Sequence, residues 1–239
     1  MLKEIDHSNL LDHAVWSSLI GPHAILAEVH GMARRYPADI SPFGAIEDQQ
    51  NPQAWRDLSE LIGPGGHIVL TGPEIHIADG WEIIDGGYGL QMTGEDVAGK
   101  LDAEAIPLSD GDVPEMLDLV SRTKPGPFLP RTIEFGGYLG FRMNGALVAM
   151  AGCRIHPQGW REISAVCTDE SQRGKGLAGR LVQAVVANIR AEGDTPFLHV
   201  AESNENAIRL YLAMGFRIRM RAQFGVVQQT SVHLSHPNL

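Results

Sequence analysis

The sequence is poor in cysteine, in basic residues and in long apolar runs. Its 239 residues include 2 cysteines, 6% aromatic residues, and 19 Lys and Arg against 29 Asp and Glu. Two cysteines are too few for a disulfide framework. Cys153 and Cys167 stand in apolar, strand-like segments, so we expect buried free thiols. No apolar run approaches the ~20 residues needed to cross a bilayer, so we expect no membrane partner.

The formal net charge of −10 argues against non-specific nucleic-acid binding, which requires cations that neutralise phosphates. The first residues include Glu4 and Asp6, where a secretion signal has a basic region, so we expect a cytoplasmic protein. Residues 1–162 hold 23 acidic and 11 basic residues, whereas residues 163–239 hold 6 acidic and 8 basic residues. This asymmetry either serves solubility alone or favours a small anionic ligand on the C-terminal part.

From residue 105 onward, strand-like segments with alternating apolar residues are interspersed with segments whose apolar residues have helical spacing. They predict, in chain order, a helix over 109–120, a hairpin of 137–143 and 146–155 around Asn144-Gly145, a strand over 163–168, a helix over 177–191, a strand over 197–201, a helix over 207–214, and strands over 216–220 and 225–229. The order predicts an α/β (α+β) fold whose mixed, mostly antiparallel sheet is flanked by helices.

The first hundred residues are less regular. They predict loosely helical structure over 10–36, a short helix over 54–62, strands over 67–71, 75–78 and 81–84, and a turn at Gly86-Gly87. A polar segment, 94–104, connects them to the rest. We therefore expect an N-terminal α/β region over 1–100 and a second domain over 105–239.

A glycine-rich turn lies between the strand over 163–168 and the helix over 177–191. Glycines let a ligand approach the backbone, and the unpaired N–H groups and positive dipole end of a helix start bind anions. Two basic side chains in the turn add positive charge. The candidate ligand-binding residues of this turn are Arg173, Gly174, Lys175, Gly176, Leu177, Ala178 and Gly179.

The same segment also fits the G-x-G-x-x-G dinucleotide fingerprint, but the context argues against that interpretation. Five polar residues, 169–173, separate the strand from the first glycine, whereas a dinucleotide turn follows its strand almost directly. Only 60 residues follow Gly179, too few for a doubly wound sheet. A P-loop is excluded because Gly176 follows Lys175, where Ser or Thr is required.

Two segments resemble signatures of the GNAT superfamily of acyl-CoA-dependent N-acyltransferases. Residues 172–178, QRGKGLA, resemble its Gln/Arg-x-x-Gly-x-Gly/Ala motif. Residues 204–216 resemble its second signature, Asn-x-x-Ala-x-x-x-Tyr-x-x-x-Gly-Phe, with Asn204, Tyr211 and Phe216 in place. The two occur in order with one strand between them, which is more specific than either alone. The resemblance covers about residues 105–229.

The resemblance implies a fold, a cofactor and site residues. The turn would hold the pyrophosphate of coenzyme A, while the pantetheine arm pairs like an added strand where two strands splay apart. Backbone groups of Val166, Cys167 and Thr168 and the side chain of Asn204 would contact this cofactor. Tyr211 matches the position that stabilises or protonates the departing thiolate.

The general base is less well defined by the sequence. Glu162, before the motif strand, and Glu134, before the hairpin, are both candidates, and ordered water is the alternative. His156 and His199 are either proton shuttles or packed side chains. No H-E-x-x-H or Cys/His ligand spacing occurs among the ten histidines, so we expect no metal.

We therefore predict an acetyl-CoA-dependent N-acetyltransferase that acts on a primary amine of a small molecule or peptide by direct transfer in a ternary complex. A cationic acceptor would suit the acidic N-terminal region, which is either an extension or a degenerate second copy of the fold. Two alternatives stay open, a non-catalytic acyl-CoA-binding sensor or assembly module and a nucleotide-dependent oxidoreductase. A homodimer is also an open alternative.

Overall fold

A computed structural model of the protein describes residues 10–230, which contain five α-helices and eleven strands. Residues 1–9, with the acidic start of the chain, lie outside the described residues. The helices are α1 (Ala14–Ile20), α2 (Pro52–Ile62), α3 (Val113–Thr123), α4 (Leu177–Ala191) and α5 (Glu205–Ala213). The strands are β1 (Glu28–His30), β2 (Ala33–Arg35), β3 (Gly44–Ile46), β4 (His67–Gly72), β5 (Trp81–Thr93), β6 (Ile106–Pro107), β7 (Leu139–Met143), β8 (Ala146–Cys153), β9 (Trp160–Thr168), β10 (Thr195–Ala201) and β11 (Arg217–Gln229).

The main sheet has eight strands in the order β4-β11-β5-β10-β9-β8-β7-β6. Each neighbouring pair is antiparallel except β9 and β10, which are parallel and joined by the α4 crossover. The predicted α/β fold with a mixed, mostly antiparallel sheet is thus confirmed. So is the hairpin of β7 and β8, where Asn144 and Gly145 both adopt positive φ, as a two-residue turn requires.

The first hundred residues contribute two strands to the main sheet. β4 and β5 both belong to the main sheet, and β5 lies between β10 and β11. The remaining strands, β1 to β3, form only a small three-stranded sheet. The predicted boundary near residue 100 therefore runs through a continuous sheet, and the hypothesis of a degenerate second copy is not confirmed.

Two local predictions were wrong, the turn at Gly86-Gly87 and the division of the last strand. β5 runs straight through Gly86-Gly87, and a Cβ at Gly86 would lie 2.2 Å from the carbonyl oxygen of Phe224 on β11. The glycine thus permits a close approach of two strands. The two predicted strands 216–220 and 225–229 are the single strand β11, interrupted only by register shifts at Ile218/Met220 and Val226/Val227.

Other differences lie early in the chain. The segment 75–78 is not a strand, and 10–36, which was predicted to be loosely helical, contains α1 but also the short strands β1 and β2. Among residues 10–230, no helix is both long and apolar enough to cross a membrane. The two cysteines are buried and free, as expected, and burial raises the pKa of Cys153 to about 12 and that of Cys167 to about 11.

Alternate residues of β9 pack into two different cores. Val166 packs against a cluster that contains Leu181 and Val185 of α4, whereas its neighbour Cys167 belongs to a cluster with Met116 and Leu119 of α3. Since side chains alternate across a strand, α4 and α3 cover opposite faces of the sheet. The segment around α1 packs against Phe197 of β10 in a third cluster.

Candidate active site

The two parallel strands of the sheet separate halfway along their length. β9 and β10 pair only from Trp160 and Thr195 to Ile163 and Leu198. Beyond this point β10 remains paired with β5, from His199↔Gln91 to Ala201↔Gly89. β9 instead remains paired with β8, up to Thr168↔Ala149. A gap therefore opens between 164–168 and 199–201, and Val166, Cys167 and Thr168 line one side of it.

A bulge in β9 lies at the start of this gap. Met150 pairs with Cys167 and Gly152 pairs with Ser164, so one strand contributes an extra residue here. Ala165 has a φ of 53°, a conformation that costs a non-glycine residue about 1–3 kcal/mol. The bulge turns the backbone of β9 away from the regular ladder. Such strain is concentrated where a ligand would meet the strand.

The glycine-rich turn follows at the end of the gap. Gly174 and Gly176 adopt φ values of 78° and 76°, and Gly176 is the N-cap of α4 without any side-chain cap. The first helical hydrogen bond runs from the Arg180 N–H to the Gly176 carbonyl, at 3.1 Å. The amides of 177–179 therefore have no helical partner. Arg173 and Lys175 are exposed beside them, and the result is an anion site.

The space and the unpaired groups around the turn fit an extended, phosphorylated ligand. A Cβ built on Gly174 or Gly176 would meet no atom within 4 Å, so the space over the turn is open. The hydroxyl of Thr168, at the end of β9, is buried and has no hydrogen-bond partner among the described residues. A buried hydroxyl without a partner is unfavourable, and a ligand in the gap would supply one. The residues present thus fit coenzyme A.

Tyr211 and Asn204 lie on the segment that follows β10. Asn204 caps α5, since its side-chain oxygen accepts a hydrogen bond from the Ala207 N–H at 3.2 Å. Tyr211 is 6% exposed, and its ring packs edge-on against Phe216 at 5.8 Å. Burial raises the pKa of Tyr211 to about 12. The phenol is therefore protonated at neutral pH and can donate a proton or a hydrogen bond.

Glu162 is completely buried, and each of its oxygens accepts hydrogen bonds. Arg154 donates to both carboxylate oxygens at 2.7 and 2.8 Å, and His199 lies 2.7 Å from one of them. Burial alone would raise the pKa of Glu162, but the Arg154 charge and the hydrogen bonds from Arg154 and His199 outweigh it and hold the pKa well below its usual range. Such a carboxylate has little affinity for a proton at neutral pH.

The orientation of Gln91 determines the tautomer of His199. The Gln91 oxygen accepts from Arg219 at 2.9 Å, and its nitrogen donates to the Leu11 carbonyl at 2.8 Å. The same nitrogen lies 3.2 Å from His199 Nε2, so Nε2 must accept, and His199 Nδ1 carries the hydrogen that it donates to Glu162. Arg219 in turn pairs with Asp12 at 2.6 Å. The Ile155 N–H also donates to Glu162, at 3.3 Å, so the acceptor positions of the carboxylate and of His199 Nε2 are all used, which argues against Glu162 as the base.

The other candidate proton acceptors lie outside this network. Glu134 is exposed in a short 3-10 turn (Thr132–Phe135) and pairs with Arg131 at 2.5 Å. His156 pairs with Asp194 at 2.7 Å. Among residues 10–230, no three His, Cys, Asp or Glu side chains are grouped to hold a metal ion.

Comparisons with known proteins identify the family. The chain aligns over 95% of its length, at 37% identity and a TM-score of 0.85, with the whole of a structure from Novosphingobium aromaticivorans DSM 12444 that is assigned to the GNAT acetyltransferases. This chain belongs to the GNAT family. The family model for FR47-like proteins also matches residues 138–224. The protein is therefore an acyltransferase, and GNAT acetyltransferases use acetyl-CoA.

More distant comparisons agree with this family. A GCN5-related N-acetyltransferase from Kribbella flavida aligns with 93% of this chain and over 97% of its own length, with a TM-score of 0.59. At 17% identity, this similarity shows the fold alone. A mycothiol acetyltransferase from Thermobispora bispora is 35% identical over 79 residues, which are 30% of this chain and 27% of that protein. The match thus spans about a quarter of this curated relative.

Two interactions that hold the candidate site in place were not predicted from the sequence. Asp169 holds the turn, since its side chain accepts from the Ser171 N–H at 3.0 Å and from the Ser171 hydroxyl at 2.6 Å. It also forms an ion pair with Arg122 of α3. The Asp-x-Ser pattern is typical of a local side-chain turn, but nothing in the sequence pairs residue 122 with residue 169. The role of β5 in holding β10 was missed for the same reason.

Replacement of Asp169 by Ala should weaken acetyl-CoA binding by about tenfold, because the turn loses several hydrogen bonds of about 1 kcal/mol each. Isothermal titration calorimetry measures the dissociation constant. Asp118 provides the control, since it also pairs with Arg122, at 3.0 Å, but lies outside the turn. Equal affinities for D169A and D118A would show that Asp169 does not position the turn.

Replacement of Glu162 by Gln should lower the free energy of unfolding by about 3 kcal/mol or more at pH 7, because Arg154 would remain buried without its counter-ion. The folded-state pKa of Glu162 lies below its unfolded value, so this stabilisation is present above a pH of about 4.3 and is lost as the pH falls further. Urea unfolding between pH 3 and 7 measures both effects. Exposed Glu134→Gln is the control, and equal stability of E162Q and wild type would contradict the network.

Proposed function

We propose that this GNAT protein transfers the acetyl group of acetyl-CoA directly to a primary amine of a small molecule within a ternary complex. The observation that supports it best is the gap between β9 and β10, which ends at an uncapped helix N-terminus. An extended arm that ends at a diphosphate matches both the gap and the helix N-terminus. A peptide amine is the competing acceptor class.

The proposed cofactor contacts follow from this geometry. The amides of 174–179, with Arg173 and Lys175, bind the diphosphate. The backbone groups of Val166, Cys167 and Thr168 bind the pantetheine arm as an added strand. Asn204 uses the amide nitrogen that its capping role leaves available. Acetyl-CoA supplies an acyl group that is already activated as a thioester.

In the proposed transfer, the chain holds the reactants while one proton leaves the acceptor amine and another reaches the departing thiolate. The acceptor must be neutral, and removal of a proton from an alkyl ammonium of pKa ~10.4 costs about 4.6 kcal/mol at pH 7. Water receives this proton, since Glu162 and His199 are fully hydrogen-bonded within the network. Tyr211 donates its hydroxyl proton to the departing thiolate sulfur, as its protonated state at neutral pH allows.

The acceptor class is supported by a relative and by charge. The similarity to a protein named mycothiol acetyltransferase supports a small-molecule acceptor. The acidic excess in residues 1–162 favours the approach of a cationic molecule. The acyltransferase assay should therefore begin with small primary amines and include peptides as the competing class.

Replacement of Tyr211 by Phe should lower kcat about 10²- to 10⁴-fold, the usual contribution of an acid catalyst, while the dissociation constant of acetyl-CoA stays the same. Thiol release against a panel of amines and peptides measures kcat. Tyr88, which is 45% exposed, provides the Tyr→Phe control. An unchanged kcat in Y211F would remove Tyr211 from the mechanism.

Replacement of Gly176 by Asp should raise the dissociation constant of acetyl-CoA about 100-fold, because a carboxylate at the uncapped end of α4 repels the diphosphate. Gly176→Asn is the matched control, since Asn has the same shape and also tolerates a positive φ. The Asp variant should bind far more weakly than the Asn variant in calorimetry. Similar affinities of the two would mean that no anion binds at this turn.

A further inference from the structure

Tyr138 lies directly before β7, and its ring covers part of the sheet beside the β9 bulge. A Cβ built on Gly152 of β8 would lie 2.3 Å from Cδ1 of Tyr138, so the ring lies flat against that glycine. Gly152 pairs with Ser164, the residue before Ala165. Tyr138 also shares its core cluster with Ala165 and Cys167. The ring therefore reaches across β8 toward the start of the gap.

The hydroxyl of Tyr138 has no hydrogen-bond partner, although it is buried. The residue is 3% exposed, and its oxygen contacts no donor or acceptor among residues 10–230. Phe128 contacts the ring edge-on at 5.5 Å and offers no polar group. Burial also raises the pKa of Tyr138, so the group is a neutral phenol. A buried polar group without a partner is rare, whereas phenylalanine would fill the same apolar space without this cost.

The position of Tyr138 relative to the proposed cofactor site indicates which ligand would satisfy it. Tyr211 packs in the cluster around α4, whereas Tyr138 packs in the cluster around α3. The two phenols thus lie on opposite faces of the sheet. If the turn and Tyr211 serve the acyl donor, Tyr138 remains to contact the other reactant.

We propose that the Tyr138 hydroxyl binds the acceptor of the transfer reaction by accepting a hydrogen bond from its primary amine beside the Ala165 bulge. This proposal rests on the proposed function. A neutral phenol oxygen accepts one N–H of the amine and leaves the nitrogen lone pair free to attack. Tyr138 is then a specificity residue for amines, and it acts on the reactant that the glycine-rich turn does not contact.

The test compares two buried tyrosines. Tyr138→Phe removes a hydroxyl with no partner inside the protein, whereas Tyr36→Phe removes one that contacts Ser18 at 2.8 Å and His23 at 3.0 Å. For Y138F we expect kcat/KM for the acceptor to fall about 10- to 100-fold, with the KM for acetyl-CoA unchanged. Its Tm should stay the same or rise by about 1–3 °C, because no internal hydrogen bond is lost. Y36F should show the reverse, a lower Tm and an unchanged kcat/KM.

The outcomes separate this proposal from the function on which it rests. If Y138F retains the wild-type kcat/KM for an amine that the wild type acetylates, the proposal fails and the proposed function stands. A Tm that falls as far as that of Y36F would also overturn the proposal, since the hydroxyl would then have an internal partner. If the wild type binds acetyl-CoA but acetylates no amine in the panel, the proposed function fails first, and the Tyr138 proposal fails with it.

Discussion

The pairing of β10 with β5 is the constraint on which the rest of the site depends. A parallel pair such as β9 and β10 would ordinarily continue side by side until one strand ended. Here the bulge at Ala165 bends one strand, and the ladder from His199 to Ala201 keeps the other strand aligned with β5. The two partners diverge because each is held by its outer neighbour. The gap is therefore a property of the whole sheet, and no single residue creates it.

Buried polar groups connect the same two strands at the point where their pairing ends. Glu162 on β9 and His199 on β10 are hydrogen-bonded to each other, and Gln91 and Arg219 extend the network toward Asp12 near α1. Removal of side chains such as Glu162 and Gln91 from water is costly, and only full hydrogen-bonding offsets it. The network also connects the first residues of the described chain to the site.

The local parts of the molecule could be predicted from the sequence, because their signals are local. The helix over 177–191 coincides with α4, the Asn144-Gly145 hairpin was found, and the resemblance to GNAT proteins is confirmed. The position of β5 could not be predicted, because its partners lie more than 100 residues away and a strand pattern does not name its neighbour. Gly86-Gly87 was mistaken for a turn, because glycines occur both in turns and where two strands approach each other closely.

The same limit applies to the site. The residues of the turn follow from a motif, but the environment of Glu162 depends on Arg154, which follows β8, and on His199 of β10. An acidic residue before a strand is commonly exposed, and here it is buried. The unpartnered hydroxyl of Tyr138 has no signal in the sequence at all, because its isolation is a result of packing.

The insertion of β5 between β10 and β11 has a consequence for how the chain reaches its native state. Trp81 pairs with Gln229, so the middle of the sheet joins segments that are far apart in the sequence. Contacts of such high contact order form slowly, because a long loop must close before they stabilise anything. During synthesis, β5 leaves the ribosome long before either neighbour exists. Its backbone amides and carbonyls then have no strand partner until β10 is made, which leaves this strand open to mispairing.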